Sequence, residues 1–116
     1  MKIHIEFDKH SFTATLENNA SSQSLIKILP LKLTVEDYAQ NEKIAYLPGK
    51  LPEDGSAPFS DENPGDICYY APWGNLVFYY ASYRYSKGLV RLGRMDSGIV
   101  PLLTKGSFPL HIRIIK

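Results

Sequence analysis

Apolar and polar residues alternate one for one along most of this chain, and that period commits it to strands. Ile3, Ile5 and Phe7 alternate with Lys2, His4 and Glu6, and Phe12, Ala14 and Leu16 alternate with Thr13 and Thr15 beyond the short connection Asp8 to Ser11. Successive side chains of a strand point to opposite faces, so the pattern predicts a hairpin with one buried face. The same period returns from Leu31 through Leu33 and Val35 towards Tyr38, from Gly88 to Met95 and from Pro109 to Ile115, and Glu42 to Leu47 resumes extended structure before Pro48 and Gly49 end it. Two further runs, Asp66 to Ala71 and Asn75 to Tyr80, carry large residues on both faces and read as central strands joined across Pro72, Trp73 and Gly74. One segment breaks the period: Ser21 to Leu29 places Leu25, Ile28 and Leu29 at helical spacing, with Ser21 or Ser22 as N-cap and Pro30 as the stop. Ile99 to Leu103 fits a single helical turn before Gly106.

About eight short strands with one helix make a mainly β domain, either a closed barrel or a sandwich, and periodicity alone does not choose between them. With 116 residues, 44% hydrophobic and 22% charged, the chain supports one hydrophobic core and reads as a single domain over residues 1–116. The stretch from Gly49 to Pro64 is rich in Pro, Gly, Ser, Asp and Glu and is read as a flap within that domain.

A formal charge of +1 supplies no field to gather nucleic acid or an anionic membrane, so neither is an expected partner. No apolar run reaches the roughly 18 residues that a membrane span needs. Cys68 is the only cysteine and no secretory apolar region follows Met1, which points to a reducing, cytoplasmic setting.

The collinear set Leu29-Pro30-Leu31, Glu42-Lys43-Ile44-Ala45-Tyr46-Leu47-Pro48, Gly65-Asp66-Ile67-Cys68-Tyr69-Tyr70-Ala71-Pro72-Trp73-Gly74-Asn75-Leu76 and Leu92-Gly93-Arg94 resembles the bacterial cyclophilin-like family of small β-barrels. The resemblance runs in order along most of the chain and implies a closed eight-stranded barrel capped by helices, without assigning a function. Cyclophilins proper are peptidyl-prolyl isomerases that use an arginine in a Phe-His-Arg segment ahead of a Gln-Gly-Gly-Asp run. Neither segment stands in this sequence: Glu42 to Pro48 contains no arginine, and Pro64 precedes Gly65-Asp66.

Four residues are the leading ligand-binding candidates. Arg94 shares the alternation of Val90 and Leu92, which places it on their inward face at a strand end, where a guanidinium can offer two donors to a carboxylate or an amide carbonyl. Its competing role is an ion pair with a loop acid such as Asp96. Trp73 at the central hairpin offers an aromatic face to a ligand or closes the barrel end. Tyr46 adjoins the flap, and Tyr70 belongs with Tyr69, Tyr79 and Tyr80 to pairs in which one ring points inward and one outward.

The remaining motifs carry less. Tyr83-Arg84-Tyr85 interleaves aromatic and basic residues as single-strand binders do, but without a basic surplus around it. His4, His10 and His111 have no metal-ligand spacing, Cys68 reads as a buried strand thiol, and no cofactor or metal is expected. The reading is therefore a binding module whose barrel mouth accepts a peptide segment or a small anionic molecule. A weak prolyl isomerase using Arg94 is the enzyme alternative, and a partner-docking subunit is the third.

Overall fold

The computed structural model describes residues 1–54 and 56–116; Gly55, inside the expected flap, lies outside the described residues. Eight antiparallel strands form it: β1 (Lys2–Phe7), β2 (His10–Leu16), β3 (Leu31–Tyr38), β4 (Glu42–Tyr46), β5 (Asp66–Tyr70), β6 (Asn75–Tyr79), β7 (Leu89–Met95) and β8 (Phe108–Ile115). They close in the order β1-β2-β7-β5-β6-β4-β3-β8, and β8 pairs back with β1. The choice between barrel and sandwich therefore falls to the barrel, which leaves no unpaired sheet edge.

The alternating residues line the interior as their period requires. Ile3, Ile5 and Phe7 from β1 meet Phe12, Ala14 and Leu16 from β2, Val35 from β3, Tyr69 from β5, Phe78 from β6, Leu92 from β7 and Ile112 from β8. Helix α1 (Ala20–Lys27) adds Leu25 to this core beside the end of β2, and the 3₁₀ turn Val100–Leu103 adds Leu102 beside Phe7 and Phe12 at the opposite end of the hairpin. Both ends of the barrel are thus filled. The N-cap of α1 is Asn19, whose side chain accepts the Ser22 N–H at 2.8 Å. Ser21 and Ser22, the expected caps, are instead buried in the first turn and donate to the carbonyls of Pro52 and Leu92.

One interior position breaks the apolar rule. Lys43 is fully buried, with its Nζ donating to Asp37 Oδ1 at 2.7 Å and lying 5.7 and 6.0 Å from the ring centres of Phe7 and Phe108. An isolated buried ammonium would be costly; here a carboxylate and two ring faces replace water. Burial pushes the Asp37 carboxyl up, but the hydrogen bonds from Lys43 and the Gly106 N–H outweigh it and hold it below its ordinary value.

The outer face of β4, β6, β5 and β7 is also apolar. Ile44, Cys68, Val77, Tyr79, Tyr83 and Leu89 form a second buried cluster there, with Phe59, Tyr70 and Tyr85 packed against it. Segments from the flap and from the β6–β7 connection lie over this face. That is why β5 and β6 carry large residues on both sides.

Candidate functional site

A bulge decides where Arg94 goes. Ile67 pairs with Gly93 and Cys68 with Arg91, so Leu92 is the extra residue on β7 and the alternation slips by one beyond it. Arg94 consequently leaves the inward face of Val90 and Leu92 and joins Asp66 on the outside. Gly93 is needed at the bulge because a Cβ there would lie 2.2 Å from the Thr15 carbonyl oxygen of β2.

On the outer face Asp66, fully buried, accepts three hydrogen bonds: from Tyr83 Oη at 2.6 Å, Arg94 Nε at 2.7 Å and the Asn63 N–H at 3.0 Å. Asp61 of the flap bridges both arginines, meeting Arg91 Nη1 at 2.9 Å and Arg94 Nη2 at 3.3 Å. The Arg91 guanidinium also lies 4.7 Å from the centre of the Phe59 ring and donates from Nε to Glu17 at 2.6 Å. The expected alternative partner, Asp96, is taken elsewhere: it accepts from Lys2, Thr13 and Thr15, and these bonds pull its carboxyl down to about 2. Together the carboxylates and arginines clasp residues 59–63 onto the barrel. Cys68 lies beneath, and burial pushes its thiol up to about 12, which removes the thiolate needed for nucleophilic work.

At the other end of β5 the outer face opens into a groove of about 180 Å³. Tyr38 of β3, Glu42 of β4, Tyr70 of β5, Trp73 of the β5–β6 turn, Asn75, Val77 and Tyr79 of β6, and Ser86 line it. The turn holds Trp73 up from the sheet: Gly74 takes φ +69, a left-handed conformation that favours glycine, and its N–H returns to the Tyr70 carbonyl at 2.9 Å. Trp73 meets Tyr38 and Tyr70 edge-on, with ring centres 5.0 and 5.6 Å apart, and remains 44% exposed.

The groove's floor holds the least expected feature. Asn75 is fully buried, yet neither its Nδ2 nor its Oδ1 has a hydrogen-bond partner among the described residues. Buried amides are almost always paired, and an unpaired one costs about 1–3 kcal/mol. Glu42 is likewise without an ion pair or side-chain hydrogen bond among the described residues, and burial holds its carboxyl above its ordinary value of 4.5.

Of the four sequence-derived candidates, Tyr70 and Trp73 line this groove. Tyr46 pairs in register with Asn75 and stands beside it, 51% exposed. Arg94 is at the far end of β5, in the clasp. Tyr38, Glu42 and Asn75 were not singled out by the sequence. The available signal was an asparagine, poor in strands, opening an otherwise apolar run.

Other concavities exceed the groove in volume: about 280 Å³ beside Glu62, Pro64 and Arg84, about 470 Å³ beside Lys50, Pro72 and Lys87, and about 280 Å³ beside His4, Pro30 and Arg113. Among the described residues none of these is lined by a buried polar group that lacks a partner. Among the described residues no three His, Cys, Asp or Glu side chains group as a metal site, and no helix is long and apolar enough to cross a membrane.

A family model described as a cyclophilin-like family matches residues 5–113. The solution structure of a hypothetical protein from Archaeoglobus fulgidus superposes with a TM-score of 0.64 at 12% identity, covering 97% of this chain and 93% of that one, which establishes likeness of fold. A comparison with curated proteins finds no match.

Proposed function

The chain belongs to the cyclophilin-like family, and from that premise we propose that it is a binding module that takes a small ligand, or one side chain of a peptide segment, in the outer groove floored by Asn75. The unpartnered carboxamide of Asn75 carries this reading. A strand residue with an orphaned donor and acceptor beneath three exposed or half-exposed rings is poorly suited to folding and well suited to recognition, because a ligand that displaces those rings would give both atoms the partners the fold withholds. The barrel mouth is a weaker place for a ligand, since Leu25 and Leu102 occupy its ends.

The isomerase alternative rests on Arg94, and its Nε and Nη2 already serve Asp66 and Asp61. A small anionic ligand rested on the same guanidinium. The lone buried thiol fits a reducing, cytoplasmic compartment.

Trp73 is the only tryptophan, so its indole N–H is a unique NMR reporter. Screening a fragment library by amide and indole chemical shifts is expected to move the Trp73 indole and the Asn75 carboxamide signals together. Hits that move other regions and spare these two, or that bind Asn75→Leu as well as the wild type, would remove the groove as the binding site.

A further inference from the structure

We infer that the groove's ligand is a small organic ammonium ion, held between the rings of Tyr38, Tyr70 and Trp73 with Glu42 as its counter-ion; this rests on the groove being the binding site. The charge decides it. Glu42 is the one charged residue lining the groove, it is half-buried, and no cation among the described residues pairs with it. Every other groove-lining side chain is aromatic or neutral. Aromatic faces attract cations through their quadrupole and do so most strongly where water is excluded, and a quaternary or alkylated ammonium loses less hydration than a bare metal ion when it enters such a site.

The size agrees. At about 180 Å³ the groove falls below the roughly 300–1,000 Å³ of pockets that enclose whole drug-sized ligands, so it suits a single head group. Asn75 adds an acceptor and a donor beneath the rings, which would fix an N–H or hydroxyl carried beside the charge. A free small molecule is favoured over a methylated lysine of a partner protein because Asn75 offers a donor and an acceptor that a hydroxyl beside the charge would meet and the alkyl stem of a lysine would not.

The test is Trp73 fluorescence and indole shift during titration with choline, with its uncharged carbon isostere 3,3-dimethyl-1-butanol, and with a short peptide carrying trimethyllysine. Choline is expected to bind about tenfold or more tightly than the isostere, and Glu42→Gln is expected to bring choline's affinity down to about that of the isostere on the same variant. Equal binding of choline and the isostere overturns the cation assignment but leaves the groove as a site. Absence of any response to choline at millimolar concentration overturns it too, and the fragment screen then decides separately whether the groove binds anything. A peptide that binds tenfold more tightly than choline overturns the free-ligand assignment and transfers the site to a protein partner.

Discussion

The two ends of strand β5 carry the same problem, a buried polar side chain on an outward face, and solve it differently. At the Asp66 end a carboxylate accepts a tyrosine hydroxyl, a guanidinium N–H and a backbone N–H. Beside Tyr70 at the other end, Asn75 has a donor and an acceptor and meets neither. A satisfied buried network rigidifies what it joins, and here it fastens the flap to the barrel. An unsatisfied one is a standing cost that folding alone does not repay. The contrast distinguishes a structural clasp from the proposed recognition surface by whether buried polar atoms find partners, where charge alone would point to the Asp66 end.

The sharpest way to break this contrast is to remove the satisfied group. Asp66→Ala leaves Tyr83 without its acceptor and Arg94 without its buried partner, and is expected to cost about 3 kcal/mol in urea unfolding at neutral pH, the low end for a broken buried pair because Arg94 is partly exposed. A loss under about 1 kcal/mol would mean the clasp does not hold the structure. Tyr83→Phe is the milder version. It deletes one hydroxyl that donates to a carboxylate, keeps the ring stacked on Tyr79 with centres 3.6 Å apart, and should cost about 2 kcal/mol. Neither change should alter ligand binding in the groove by more than a small factor.

The same operation at the other end should have the opposite sign. Asn75→Leu replaces an orphaned amide with an apolar side chain of similar shape, in a strand flanked by apolar neighbours. It is expected to raise stability by about 1 kcal/mol in the same unfolding assay while abolishing the fragment response at Trp73. If the variant is instead destabilised by a comparable amount, Asn75 has a structural partner and the groove loses its strongest mark.

The alternation made the barrel legible because period two leaves little freedom: Ile3, Ile5, Phe7 and their partners point inward as read, and Tyr69 and Tyr80 point in where Tyr70 and Tyr79 point out. Arg94 was misplaced because a bulge is invisible to a strict period; one extra residue at Leu92 turns the guanidinium to the other face. Half of the groove was legible. Trp73 and Tyr70 announce themselves as large rings at a hairpin, whereas Glu42 reaches the site through the pairing of β4 with β6 and Tyr38 through the pairing of β3 with β4, and no local pattern reports those registers. Lys43 shows the same limit: its acceptor Asp37 stands opposite it on a neighbouring strand, so a lysine in an inward position looks like an error until the sheet is assembled.

The smallest effect distinguishes the two ends by pH. Hydrogen bonding from Arg91 holds the Asp61 carboxyl of the clasp below its ordinary 3.8, whereas burial holds Glu42 of the groove above 4.5. A lowered folded-state pKa contributes stability that is present above the unfolded value and lost as pH falls through the folded one; a raised carboxyl pKa does the reverse, since the folded state then binds the extra proton. The stability difference between wild type and Asp61→Asn should therefore shrink as pH drops below about 4. Relative to wild type, Glu42→Gln should gain as pH rises above about 4.5. Both changes should be small, because Asp61 is solvent-exposed and its pairs are screened, and Glu42 is only half-buried. Parallel pH slopes for the two variants would mean that both carboxylates are paired alike, and the distinction between clasp and groove would fail at its electrostatic level even if the difference in hydrogen bonding survived.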